Sequence, residues 1–230
     1  TSMRMPFELF VALRYLFSRR KQTFIYIISI MSILGVALGV GALVVVLGVY
    51  NGLTTDMRDK IIGANAHGIV MSYVPAAFQQ HPDLVRRVEA VEHVRGATPF
   101  IYTEVMLSAA GGVKGLVLRG IDPESAPKVL SMLREIRRGS VADLKREGTP
   151  GIVIGEELAK RLGIGLGSRV NLLSPSGEKG ATGYSPRIRP FEVVGIFKTG
   201  MFEYDATLAF VDLKAARDIL GLPDGFLTGI

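Results

Sequence analysis

Chains that catalyse reactions carry their reactive side chains in recognisable local combinations. His67, His81 and His93 are the three histidines of the sequence, and they share no metal-ligand spacing. There is no HExxH helix motif and no GxSxG turn to expose a nucleophile. No GxxxxGK[ST] loop is present to cradle a phosphate. Gly163-x-Gly165-x-Gly167 follows a helical pattern and precedes a strand pattern, whereas a dinucleotide fingerprint lies between a strand and a helix. The absence of cysteine removes disulfides, thiol catalysis and thiolate-bound metals. The residues therefore point to a non-enzymatic chain with no catalytic site, no metal and no cofactor of its own. Any energy it uses comes from a partner.

The informative chemistry is that of the membrane. Apolar residues make up 48% of the 230-residue chain, and mean hydropathy is +0.33. The excess is local, because Gln22 to Thr55 contains no charged residue. About 20 apolar residues cross a bilayer, so this segment spans one and continues as a stalk on the far side. Beside it stand Arg4, Arg14, Arg19, Arg20 and Lys21 against the single acid Glu8. That asymmetry puts the N-terminus in the cytoplasm and the residues after Thr55 outside. Residues 1–21 are thus a cytoplasmic start, 22–55 a transmembrane helix with the beginning of a stalk, and 56–230 an extracytoplasmic domain. The apolar stretch is too long for a secretory signal, which favours an uncleaved anchor. Arg86-Arg87 and Arg137-Arg138 are too sparse for a nucleic-acid surface.

Pro6 to Arg20 reads as a short amphipathic helix in the interface, opened by Pro6 at a first helical position and closed by the Arg19-Arg20-Lys21 cluster. Within the span, Ser29, Ser32, Gly35, Gly39 and Ala42 form a stripe of small side chains. Gly35-x-x-x-Gly39 allows another helix to approach closely.

The rest alternates strands and helices. Strands are expected at 68–73, 100–108, 113–119, 151–154, 169–173, 191–198 and 207–211, with a further short one from Phe226. Helices are expected at 82–91, from Asp122-Pro123 irregularly to about Arg138, at 156–162 and at 213–220. Hairpins intrude on the alternation, which gives an α+β membrane protein whose mixed α/β domain has two lobes. The chain stops at Ile230 in mid-domain, which reads as a fragment of a longer protein. Residues 174–190 (SPSGEKGATGYSPRIRP) are rich in proline and glycine and nearly free of apolar residues. A loop of this length is a binding loop stiffened by Pro175, Pro186 and Pro190, or a mobile surface hairpin.

The ordered set of motifs carries a resemblance. It comprises Leu13-Arg14-Tyr15, Gly35-Val36-Ala37-Leu38-Gly39-Val40 and Val49-Tyr50-Asn51-Gly52. Further on come Gly120-Ile121-Asp122-Pro123, Val153-Ile154-Gly155 with Leu158-Ala159 and Leu162-Gly163, and Gly183-x-x-Pro186 before Phe191-x-Val193-x-Gly195-x-Phe197. From Pro6 to Ile230 the chain resembles the permeases of lipoprotein-releasing ABC transporters (LolC/LolE type), within the MacB/FtsX-like superfamily.

The resemblance implies a multi-pass bacterial inner-membrane protein with a MacB-like periplasmic core between its first two helices. The implied partners are a cytoplasmic ABC ATPase, a second permease, triacylated lipoproteins and a periplasmic lipoprotein carrier. Nucleic acid is not among them. It places Tyr50 against the lipoprotein, with Leu43, Val46 and Leu47 beside it by helical proximity. It makes the 174–190 loop a carrier-binding hook, with Thr182, Gly183, Tyr184, Pro186, Arg187 and Arg189 as its candidate contacts. Gly35 and Gly39 are helix-packing positions. Outside Gly183 and Pro186 the loop departs from the family's hook, and the last three membrane helices lie outside this chain. The other readings are a MacB-like exporter or an FtsX-like mechanotransmission permease.

Overall fold

The structure is a computed structural model that describes residues 7–16, 23–64, 66–71, 78–79, 82–134, 136–180 and 183–230. It divides into two compact units, residues 1–57 and 58–230. In the first unit, α1 (Phe7–Leu16) is helical within the segment where an amphipathic helix is expected. The basic cluster expected to end it, Arg19 to Lys21, lies outside the described residues. Helix α2 (Thr23–Ala64) is continuous for 42 residues, about 63 Å at 1.5 Å per residue. Phe24–Arg58 is long and apolar enough to cross a membrane, and its apolar window buries nothing within the structure.

The second unit is built in chain order from β1 (Phe78–Gln79), α3 (Pro82–Glu89), β2 (Phe100–Ala109), β3 (Gly112–Ile121), α4 (Ala126–Val129), β4 (Ile136–Gly139), β5 (Gly151–Gly155), α5 (Glu156–Leu162), β6 (Arg169–Gly180), β7 (Gly183–Phe197), α6 (Phe202–Thr207), β8 (Leu208–Asp212), α7 (Leu213–Leu220) and β9 (Phe226–Leu227). Seven strands form one sheet in the order β4-β7-β5-β8-β3-β2-β6. Because β6 also pairs with β7, the six strands from β7 to β6 close on themselves. A separate two-stranded sheet joins β1 to β9.

Alternation along the strands assigns the core. In β5, Ile152 and Ile154 face one apolar cluster, with Leu158 and Leu162 of α5 and Ala216 and Ile219 of α7. Val153 faces the other, with Leu130, Met132, Leu144 and Phe210. Strand β5 is buried on both sides, which is why Gly151 to Gly155 is an unbroken apolar run. Phe197 and Phe210 meet edge to face, centroids 5.5 Å apart, a pair that adds about 0.5–1.5 kcal/mol beyond its area. Helix α7 touches β2, β3, β6, β7 and β8 and so plugs the closed strands. It approaches β3 so nearly that a Cβ on Gly120 would lie 2.5 Å from that of Ala216.

Two expectations are corrected. Asp122 does not open a long helix. Its carboxylate accepts from the Ser125 amide (3.2 Å) and hydroxyl (2.8 Å), making a turn. One helical turn follows, and Ile136–Gly139 is a strand drawn onto β7. Gly68 to Met71 is not a regular strand; Val70 exchanges backbone hydrogen bonds with Ile230, and Met71 bridges Gly229. Of the two readings of 174–190, the structure takes the hairpin, because β6 and β7 extend through residues 174–180 and 183–190 as a paired ribbon.

Two predictions concern stability. Burial would raise the Asp122 carboxyl, but hydrogen bonds from Ser125 and Lys145 outweigh it and hold the group below its usual value. A depressed carboxylate stabilises the fold above its unfolded pKa, near 3.9, and loses that contribution as pH falls through the folded value. Wild type should therefore melt above Asp122→Asn at neutral pH, and the gap should close below about pH 4. A gap independent of pH would contradict the assignment. At Gly155, an added Cβ would overlap the backbone of Asp205. That buried residue's carboxylate holds Thr199 and Gly200. Gly155→Ala should cost about 1–3 kcal/mol, seen as a lowered melting temperature.

Candidate functional site

The candidate residues fall into two separate groups, one in each unit. On α2 they occupy one face. Spacings of three and four residues place Leu43, Val46, Leu47 and Tyr50 within about 100° of arc, and continuing backwards by fours reaches Gly39 and Gly35 on the same side. Their side chains are 61%, 65%, 51% and 64% exposed for Leu43, Val46, Leu47 and Tyr50. Beyond the neighbouring backbone of their own helix, no atom comes within 4 Å of where a Cβ would stand on Gly35 or Gly39. The face is therefore a smooth groove of small residues that widens into bulky apolar ones ending in Tyr50. One turn on, the Thr54 hydroxyl donates to the Tyr50 carbonyl (2.8 Å). That local bond keeps the polar side chain satisfied without a partner helix.

The second group belongs to the ribbon. Register runs from Arg169↔Glu192 to Ser174↔Arg187, breaks, and resumes with Glu178↔Ser185, Lys179↔Tyr184 and Gly180↔Gly183. Pro186 falls within that break, where it displaces no ladder hydrogen bond. This is how a segment so rich in proline still pairs. Thr182 lies outside the described residues, and Gly183 and Tyr184 are paired near the tip. Pro186 and Arg189 are exposed.

Directly opposed residues share a face, and this divides the base of the ribbon. Arg187 and Arg189 stand opposite Ser174 and Leu172, both wholly buried, and so face α7. The Arg187 guanidinium lies against Gly221, where a Cβ would be 2.5 Å from its Cζ. Gly221 ends α7 at φ +67°. A cation at the carbonyl end of a helix is favourable, so Arg187 ties the ribbon to α7. Arg189 lines a groove with Lys145, Arg146, Asp212, Lys214 and Asp218. On the outer face, Met106, Leu173 and Ile188 stand in one row across β2, β6 and β7. Met106 and Ile188 are 49% and 56% exposed. Sequence reading missed this apolar row. Its one local signal is Ile188, an isolated apolar residue between two arginines.

Among the described residues, His67 and His93 are not assembled into a site. His93 is exposed at φ +70° with Glu92 Oε1 3.5 Å away, His67 is exposed, and His81 lies outside the described residues.

Comparison with known proteins gives the class. The MacB-like periplasmic core domain matches residues 29–227, and the chain belongs to that family. Within it, the chain is similar to the lipoprotein-releasing system transmembrane protein LolC of Neisseria meningitidis, 33% identical over 91% of this chain and 50% of the relative. The LolC of Xylella fastidiosa (strain Temecula1) is 34% identical over 98% of this chain and 53% of the relative. LolE of Haemophilus influenzae is 24% identical over 99% and 54%. The chain thus spans about half the length of these curated relatives. Among solved structures, the periplasmic region of MacB from Actinobacillus actinomycetemcomitans matches with a TM-score of 0.47 at 14% identity, over 73% of each chain.

Proposed function

We propose that the full-length protein is a permease subunit of an inner-membrane ABC transporter that extracts lipoproteins and passes them to a periplasmic carrier. The observation that carries this reading is the similarity to LolC proteins over nearly the whole chain, from the membrane helix through the periplasmic core. ATP hydrolysis belongs to a separate cytoplasmic subunit, and a second permease completes the membrane cavity.

The two groups of residues divide the labour. The Leu43–Tyr50 face of α2 offers apolar surface to acyl chains, with Gly35 and Gly39 allowing a neighbouring helix to close beside it. Tyr50 stands at the end of that face, and its ring suits the boundary between lipid tails and water. The ribbon is the hook. Pairing holds its base, so little conformational entropy is lost when the carrier is gripped. Pro186, Arg189 and the exposed Ile188 are the contacts, and Arg187 positions them through α7.

Two tests follow. Pro186→Ala together with Arg189→Glu should reduce carrier capture by the purified transporter roughly tenfold, while ATPase assembly stays normal. Arg187→Gln should weaken capture through disorder, visible as faster amide exchange across 174–190. Unchanged capture in the double variant would exclude the ribbon as the hook. Separately, Tyr50→Asp should abolish co-purification of lipoprotein with the complex, because a buried carboxylate in a lipid-filled cavity is costly. Full retention of lipoprotein would reject the α2 face as the cargo surface.

A further inference from the structure

A bulge in the edge strand creates a surface that the lipoprotein reading does not use. Consecutive residues on a regular strand point to opposite faces. In β4 the register shifts between Ile136↔Phe197 and Arg138↔Ile196, so Arg137 is an extra residue. Bulges re-aim side chains. Here Arg137 and Arg138 both line one groove with Glu156 and Lys160 of α5, Ile164 and Ile196.

The charges in this groove are unbalanced. Lys160 Nζ lies 3.5 Å from Glu156 Oε1, and Lys198 Nζ lies 2.8 Å from Glu156 Oε2. One carboxylate thus serves two lysines. The neighbouring Glu157 is engaged by Arg161 at 3.5 Å. Arg137 and Arg138 make no hydrogen bond or ion pair among the described residues, and both are exposed. The Lys198 hydrogen bond, with help from Lys160, holds the Glu156 carboxyl below its usual range, as a cationic surrounding should.

β4 is also the last strand in the sheet order. Among the described residues no strand covers its outer edge. Charged side chains often guard such edges against aggregation. Guard residues project into solvent on both faces, whereas here both arginines line one groove together with Ile164 and Ile196.

We propose that the groove between β4 and α5 is the docking site of an extended acidic segment of a partner protein. Its carboxylates pair with Arg137, Arg138 and Lys160, beside Lys198, and its main chain adds to the free edge of β4. Anionic lipid headgroups would satisfy the charges but would leave the strand edge and the apolar floor unused, so the peptide is the better match.

Fluorescence anisotropy tests the proposal, using the full-length protein in detergent. The probe is a fluorescein-labelled peptide of alternating glutamate and valine. Wild type should bind it, and binding should weaken with salt. Arg137→Ser with Arg138→Ser should weaken binding roughly tenfold. Arg86→Ser with Arg87→Ser, on α3, should not change it. A peptide N-methylated on alternate amides should bind equally weakly, since it cannot extend the ladder. Lys160→Ser with Lys198→Ser repeats the charge test should the arginine variant misfold. Equal affinity of wild type for both peptides would overturn the strand-addition geometry. Equal affinity of wild type and both charge variants would overturn the site. Wild type that ignores the peptide but binds phosphatidylglycerol vesicles through these residues would replace the partner protein with the membrane surface.

Discussion

The pairing of β7 along both of its edges is the constraint on which the rest of the periplasmic unit depends. One edge takes β5 in parallel, and the other takes β6 and then β4. A strand held on both sides has no freedom to slip, because a shift of one residue would turn Phe191 and Val193 out of the core. The ring of strands closes only through this double pairing. Helix α7 can plug the ring, and Arg187 can reach the end of α7, only because β6 and β7 meet there. The ribbon that carries the candidate hook is the outward continuation of the same two strands.

Much of this architecture was legible in the sequence, and the reason is local consistency. Gly151 to Ile154 is apolar at every position and can only be a strand buried on both faces. Glu156 to Leu162 carries acids first, bases last and glycine beyond, the signature of a short helix with an αL stop. Asp212 caps α7 by accepting from the Lys214 amide. The 34 uncharged residues from Gln22 to Thr55 announce a membrane helix without any tertiary information.

What was not legible depends on partners distant in sequence. The segment after Asp122 has helical composition, but Ile136 to Gly139 lies against β7, and pairing there overrides propensity. The proline- and glycine-rich ribbon looks like a loop because nothing local shows that Pro175 and Pro186 fall in a register break. The row of Met106, Leu173 and Ile188 draws on three strands, so no single window of sequence contains it. Arg187 and Arg189 look equivalent two positions apart; only the end of α7 at Gly221 separates Arg187, which lies against it, from the exposed Arg189.

The break in the ribbon's ladder between Ser174 and Glu178 also bears on how the protein can diverge. The register of the base is fixed by the pairs from Arg169 to Ser174, all of which precede the break. Residues beyond it contribute nothing to closing the ring. Insertions, deletions or a wholesale exchange of the tip should therefore leave the core intact. Such a segment can drift quickly in sequence, while Arg169 to Ser174 and Arg187 to Phe197 remain under the slower clock of the core.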